Sequence, residues 1–204
     1  GGRPGQVAQG FASPGYLPFF TIDPSKVTLI IDARTQNLAV QNIDGLDFDL
    51  RYAAPVGDGT AEIGVSGSYL FGYRQQLTST APSSDLVNTL GNPVDLRLRG
   101  RLTYSGSALG AALFVNYVDS YHNRQTATPR RVGSWTTVDA QLSYRFGDRG
   151  GPLNGLVLTL SASNLLNTDP PFTVNNLGTS AIGYDPENAS AIGRVFAFQV
   201  TKRW

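Results

Sequence analysis

Few residues in this chain are of types that do chemistry, and they are scattered. His122 is the single histidine, with Asp119 and Ser120 just before it. A nucleophile and its base must sit within hydrogen-bond reach of each other. On an extended strand Ser120 and His122 share a face about 6.5–7 Å apart, which is too far. The pair therefore reads as part of a loop, not as a hydrolase. Asp47 and Asp49 also share a strand face, at a spacing a glycosidase pair could use, but Arg51 beside them favours ion pairing. Asp185, Glu187 and Asn188 lack the ligand spacing of a calcium loop. Cysteine is absent, which removes disulfides and thiolate metal sites. There is no phosphate loop or dinucleotide fingerprint, so no cofactor and no metal is implied. What remains is a cationic cluster, Arg124, Arg130 and Arg131, of the kind that takes an anionic group such as a carboxylate or a ferric chelate.

The elements that must position these residues repeat with a period of two. Val138, Ala140, Leu142, Tyr144 and Phe146 alternate with Asp139, Gln141, Ser143 and Arg145. Such alternation marks a strand with one apolar and one polar face. The pattern recurs around Leu46–Tyr52, Ile63–Tyr73, Val94–Tyr104, Leu109–Tyr117, Leu156–Ala162 and Phe196–Trp204. Seven strands of roughly 11–17 residues are expected, against about 5–6 in ordinary globular proteins. The polar faces carry Arg and Asp in rows. The apolar faces end in aromatics, including Tyr52, Tyr69, Tyr104, Tyr117 and Tyr144, as interfacial girdles do.

Composition agrees with strands and loops. Of 204 residues 23 are glycine, lysine occurs only at 26 and 202, and glutamate only at 62 and 187. A net charge of +1 gives no reason to expect a nucleic-acid partner. No apolar run approaches the roughly 18 residues of a membrane helix, but strands cross a bilayer with about 10 alternating residues. Connections alternate between short (Ala54–Gly59, Ser105–Ser107, Gly147–Asn154) and long (Leu77–Asn92, Asn123–Gly133, Asn167–Ile192), which is the rim asymmetry of an outer-membrane barrel. On that reading the long loops are extracellular and the C-terminus periplasmic. Residues 1–40, rich in Gly, Pro and Phe, read as an extracellular loop region with a short apolar run at Val27–Ile31 that could add a strand. Residues 41–204 read as barrel.

An open seven-strand sheet leaves two edges whose unpaired backbone groups cost several kcal/mol each in hydrocarbon. Either residues 27–33 close a small eight-stranded barrel, an anchor or passive pore, or further strands lie outside these residues. The interior of an eight-stranded barrel is just wide enough for packed side chains, and the row Asp95, Arg97, Arg99 and Arg101 would crowd it. A larger barrel is the expectation.

Four stretches carry a resemblance. SASNLLNTDPPF (Ser161–Phe172), GYDPENASAIGRVFAFQVTKRW (Gly183–Trp204), NIDGLDFDLRY (Asn42–Tyr52) and SWTTVDAQLSYRFG (Ser134–Gly147) resemble strands from the C-terminal part of a TonB-dependent outer-membrane receptor. The resemblance covers roughly residues 30–204. It implies an all-β antiparallel transmembrane barrel of about 22 strands with a plugged lumen, of which these residues supply about seven C-terminal strands. It also implies import of a scarce nutrient, such as a siderophore or carbohydrate, with energy from the inner-membrane TonB complex, and no enzymatic activity. The implied partners are the remaining barrel and plug segment, TonB through that segment, lipid and lipopolysaccharide, the barrel-assembly machinery and a small-molecule substrate.

Ligand contacts are expected in the long loops and on the upper wall: Tyr16, Phe19, Phe20, His122, Arg124, Arg130, Arg131, Phe172, Asn175 and Tyr184. Lipopolysaccharide phosphate is an equal claimant to the arginines. Gly193, Phe196, Phe198, Val200 and Trp204 resemble the terminal signal read by the assembly machinery.

Overall fold

The computed structural model describes residues 40–78, 81–126, 128–147, 151–176 and 182–202. Ten strands are present among them: β1 (Val40–Val56), β2 (Gly59–Gln76), β3 (Ser84–Asp85), β4 (Leu96–Ser105), β5 (Leu109–Val118), β6 (Tyr121–Asn123), β7 (Arg130–Val132), β8 (Trp135–Arg145), β9 (Leu156–Ser163) and β10 (Val195–Lys202). Seven of them form one antiparallel sheet in the order β1-β2-β4-β5-β8-β9-β10, with β3 added to the end of β2. The β6–β7 hairpin is a separate small sheet.

All seven expected strands are present, in chain order. Their lengths are less even than the periodicity indicates. β1 and β2 have 17 and 18 residues, whereas β9 and β10 have 8 each. Val94 leaves the predicted fourth strand and becomes the most enclosed apolar residue of a loop cluster, 2% exposed. Phe146 lies just past the end of β8.

The register sets which face each residue takes. Asp49, Ser66, Arg99, Asn116 and Thr137 are successive cross-strand partners, as are Leu50, Val65, Gly100, Val115 and Val138. One face of the sheet is therefore mainly polar and the other mainly apolar. The apolar face is not covered. Leu50, Ile63, Leu102, Leu142, Phe196 and Phe198 are each at least half exposed. Leaving such a side chain in water forgoes roughly 1.5–3 kcal/mol, and a patch of this size on a soluble monomer is abnormal. Hydrocarbon is the solvent that this face fits.

Tyr52, Tyr104 and Tyr144 ring one end of the apolar face. Tyr69, Tyr117 and Phe196 stand toward the other. Tyr144 packs edge-on against Phe146 at 5.0 Å, and Tyr69 against Phe71 at 5.4 Å. The β1–β2, β4–β5 and β8–β9 connections lie on the first rim and the three long ones on the opposite rim, as an antiparallel meander requires. Asp58 in the tight β1–β2 turn accepts from Tyr104 Oη at 2.7 Å, from the Ser107 amide at 3.1 Å, and from the Ser107 hydroxyl. These donors hold its carboxyl at a pKa of about 2, with the Ser107 hydroxyl the largest cause. One turn is thereby tied to the next.

Among the described residues β1 and β10 are the two ends of the strand order and are not paired with each other. The sheet they bound is a section of wall, not a closed cylinder.

Candidate functional site

Two places bring functional side chains together: the polar face of the wall and the rim of long loops.

On the polar face the charges are organised in cross-strand rows. Asp49 takes both ends of the Arg51 guanidinium at 2.8 Å. Arg101 reaches it from two strands away at 3.2 Å and also pairs with Glu62 at 2.8 Å. That reach requires Gly64 between them, since a Cβ there would stand 2.7 Å from Arg101 Nε and 3.0 Å from the Leu50 carbonyl oxygen. Further along, Arg99 donates to Asn116 Oδ1 at 2.8 Å and lies over the Phe114 ring at 4.2 Å. The Asn116 amide passes the chain on to Asp139 at 2.8 Å, and Asp139 caps the Asn164 amide at 2.9 Å.

At the loop rim, a small conventional core forms from Leu90, Val94, Tyr121 and Val132, with Val118 against it. Around it the buried groups are polar. Asp185 is 1% exposed. Its carboxylate accepts from the Gly91 amide at 3.0 Å, the Glu187 amide at 3.1 Å and Asn188 Nδ2 at 2.9 Å. Tyr121 also donates to it, and its hydroxyl pKa is pushed strongly upward, by burial first and then by the negative charge of Asp185. Asn188 in turn donates to the Asn92 carbonyl at 2.9 Å, and its Oδ1 accepts from Arg97 of the wall at 2.6 Å. Asn123, 1% exposed, donates to Thr173 Oγ1 at 2.9 Å and to the Val174 carbonyl at 2.6 Å. The three long loops are thus bolted into one cap.

The expected ligand residues fall on this cap in different settings. His122 and Arg131 are cross-strand partners in the β6–β7 hairpin and both are exposed, as are Arg124 and Arg130. Arg131 donates to Ser120 Oγ at 2.9 Å. Phe172 is 79% exposed, with Gly183 packed beneath its ring. Asn123 holds Thr173 and Val174 against the hairpin, so Phe172 and the arginines belong to one surface. Asn175 is buried, donating to the carbonyl of the half-buried Tyr184 at 3.2 Å. Tyr16, Phe19 and Phe20 lie outside the described residues. Of the assembly-signal residues, Phe196, Phe198 and Val200 stand on the apolar face, 56–66% exposed. The Arg194 amide and a prospective Cβ on Gly193 both meet Asn167 Oδ1, and Trp204 lies outside the described residues.

Sequence reading missed Asp185, Asn123 and Asn188 as the bolts of the cap. It saw Arg97 and Arg99 only as a crowded row. Their partners are remote in sequence, and no local pattern announces them.

A wall with a charged inner face, a lipid-compatible outer face and loops gathered at one rim defines an outer-membrane β-barrel of the transport kind. A family model described as TonB dependent receptor-like, β-barrel, matches residues 6–165. The chain belongs to that family of outer-membrane receptors, which transport and are not enzymes. The match takes in residues 6–39, expected mainly as loop, and stops two residues past β9. No curated protein and no solved structure matches the chain.

Proposed function

We propose that this chain forms part of the lumen wall and outer rim of a receptor that imports a scarce small-molecule nutrient across the bacterial outer membrane, driven by TonB. The long-loop rim faces the exterior and the short turns face the periplasm. A plug segment occupies the lumen and carries the contact to TonB. Lipid and lipopolysaccharide meet the apolar face and its girdles, and β10 is the strand read by the assembly machinery.

The observation that carries this reading is the gathering of all three long loops into one cap. Rigid loops on one rim make a receptor surface, whereas a passive pore or anchor has no need of them. On that surface His122, Arg124, Arg130 and Arg131 belong to the hairpin that Asn123 fastens to the Phe172 segment. Cations beside an exposed ring suit an anionic ligand with a flat or apolar part. Asn175 supports the surface by holding Tyr184.

The test is uptake of labelled candidate nutrients by cells expressing the full-length receptor, with and without functional TonB. Uptake that vanishes without TonB is expected, and uptake indifferent to TonB refutes the reading. Replacing Arg124, Arg130 and Arg131 together with serine is expected to weaken ligand binding about tenfold or more. Unchanged binding moves the ligand elsewhere.

A further inference from the structure

One groove lies on the wall below the cap and shares Arg97 with it. It is an open depression of about 520 Å³ over β1, β2 and β4, lined by Asp47, Asp49, Ser66, Ser68, Arg97 and Arg99 among others. Ser68 is the cross-strand partner of Arg97, and Ser66 of Arg99. Two hydroxyls and two guanidiniums therefore occupy one square of the sheet.

The four arginines of β1 and β4 are not equivalent. Arg51 and Arg101 are neutralised by Asp49 and Glu62. Among the described residues Arg97 and Arg99 hydrogen-bond only to neutral groups. Arg97 spends Nη2 on the Glu187 carbonyl at 3.0 Å and on Asn188 Oδ1 at 2.6 Å. Arg99 spends Nη1 on Asn116. Each keeps Nε and its other terminal nitrogen uncommitted among the described residues. Asp47, on the far side of β2 and about 9.5 Å from Arg97 by strand spacing, accepts no hydrogen bond among them either.

We propose that this square is a second ligand site, on the lumen wall, for a hydroxylated small-molecule anion. Its carboxylate or phosphate is held by Arg97, Arg99, Ser66 and Ser68, and a hydroxyl donates to Asp47. The inference rests on the reading of the polar face as a transport lumen. It also assigns Arg97 a second task. The loop carbonyl and Asn188 fix one side of its guanidinium, so the other side is preorganised for an anion, which saves the ordering cost of binding. Coupling is reciprocal. An anion on Arg97 therefore strengthens the hold of that side chain on the 182–194 segment.

The experiment is amide hydrogen exchange over residues 182–194 in the full-length receptor in detergent micelles. Gluconate, inorganic phosphate and chloride are compared at equal ionic strength. Gluconate or phosphate is expected to slow exchange about tenfold relative to chloride at ten times its Kd. A response to one anion alone assigns the carboxylate or the phosphate, and either supports the site. Arg97→Gln is expected to speed exchange about tenfold and abolish the response. Arg97→Lys keeps charge without the fork and is expected to retain part of it. Arg99→Gln is expected to abolish the response while the Arg97 contact to the loop persists. Identical exchange in all three salts overturns the proposal, as does a full response in Arg97→Gln. Absence of TonB-dependent uptake with the anion response intact refutes the transport reading and leaves this site standing.

Discussion

The wall and the cap of this molecule obey opposite packing rules. In the wall the large apolar side chains point outward and are exposed, and the enclosed face is charged. In the cap Leu90, Val94, Tyr121 and Val132 are inside, as in any water-soluble domain. A single chain is thus written for two solvents, and the change occurs within a few residues of each strand end. The wall tolerates exposed leucine because hydrocarbon replaces water there. The cap stands in water and needs a core, but among the described residues the loops supply four buried apolar side chains for it. Asparagines and Asp185 supply the rest of its cohesion through hydrogen bonds.

That contrast can be broken at its strongest point by Asp185→Ala. It leaves the Gly91 and Glu187 amides and Asn188 without their acceptor, and about 3–5 kcal/mol of cap stability is expected to go, a loss typical of breaking a buried charged network. Faster hydrogen exchange in 86–94 and 182–192, with the wall strands unchanged, is the expected signature. Exchange rising equally in the wall would mean that the two regions are not distinct. The next largest effect separates the two wall faces. Phe198→Arg, on the lipid face, is expected to cost about 2–4 kcal/mol in folding into vesicles, and Gln199→Arg, one residue on, close to nothing. Equal costs would remove the assignment of faces. Gly64→Ala displaces Arg101 from its crossing and is expected to cost about 1–3 kcal/mol by overpacking, measured by denaturant unfolding from vesicles.

The smallest effect lies in the turns. Asp58 titrates near 2 in the folded protein, against 3.8 ordinarily. Because its folded pKa is depressed, its stabilisation is complete above pH 3.8 and is lost as pH falls toward about 2. Asp58→Asn is expected to flatten stability over that window in acid unfolding. An unchanged acid limb would show that the turn-to-turn tie adds nothing.

How much of this was legible in the sequence divides along the same line. Each wall strand declares its two faces locally, because alternation such as Val138-Asp139-Ala140-Gln141 has only one reading on a strand. Even so, the register was invisible, and with it the squares formed by Ser66, Ser68, Arg97 and Arg99. The cap was legible only as long loops with a cluster of arginines. Gly91 and Asp185 are 94 positions apart, and Asn123 and Thr173 are 50 apart. Nothing in the neighbourhood of either partner marks it as buried. Val94 continues by its apolar type the alternation of the strand that follows it. Tertiary contact with Tyr121 and Val132 outweighed that local pattern.

The diagonal that Arg101 makes over Gly64 has a mechanical consequence. The backbone ladder between neighbouring strands looks the same after a slip of two residues, and so do the greasy and wet flanks. A ladder alone therefore resists pulling apart far better than it resists sliding. A brace anchored on β4 and fastened two strands away on β1 breaks that degeneracy, since any slip would carry Asp49 beyond the length of the arginine. One missing side chain on β2 is what lets this stretch of wall keep a single alignment.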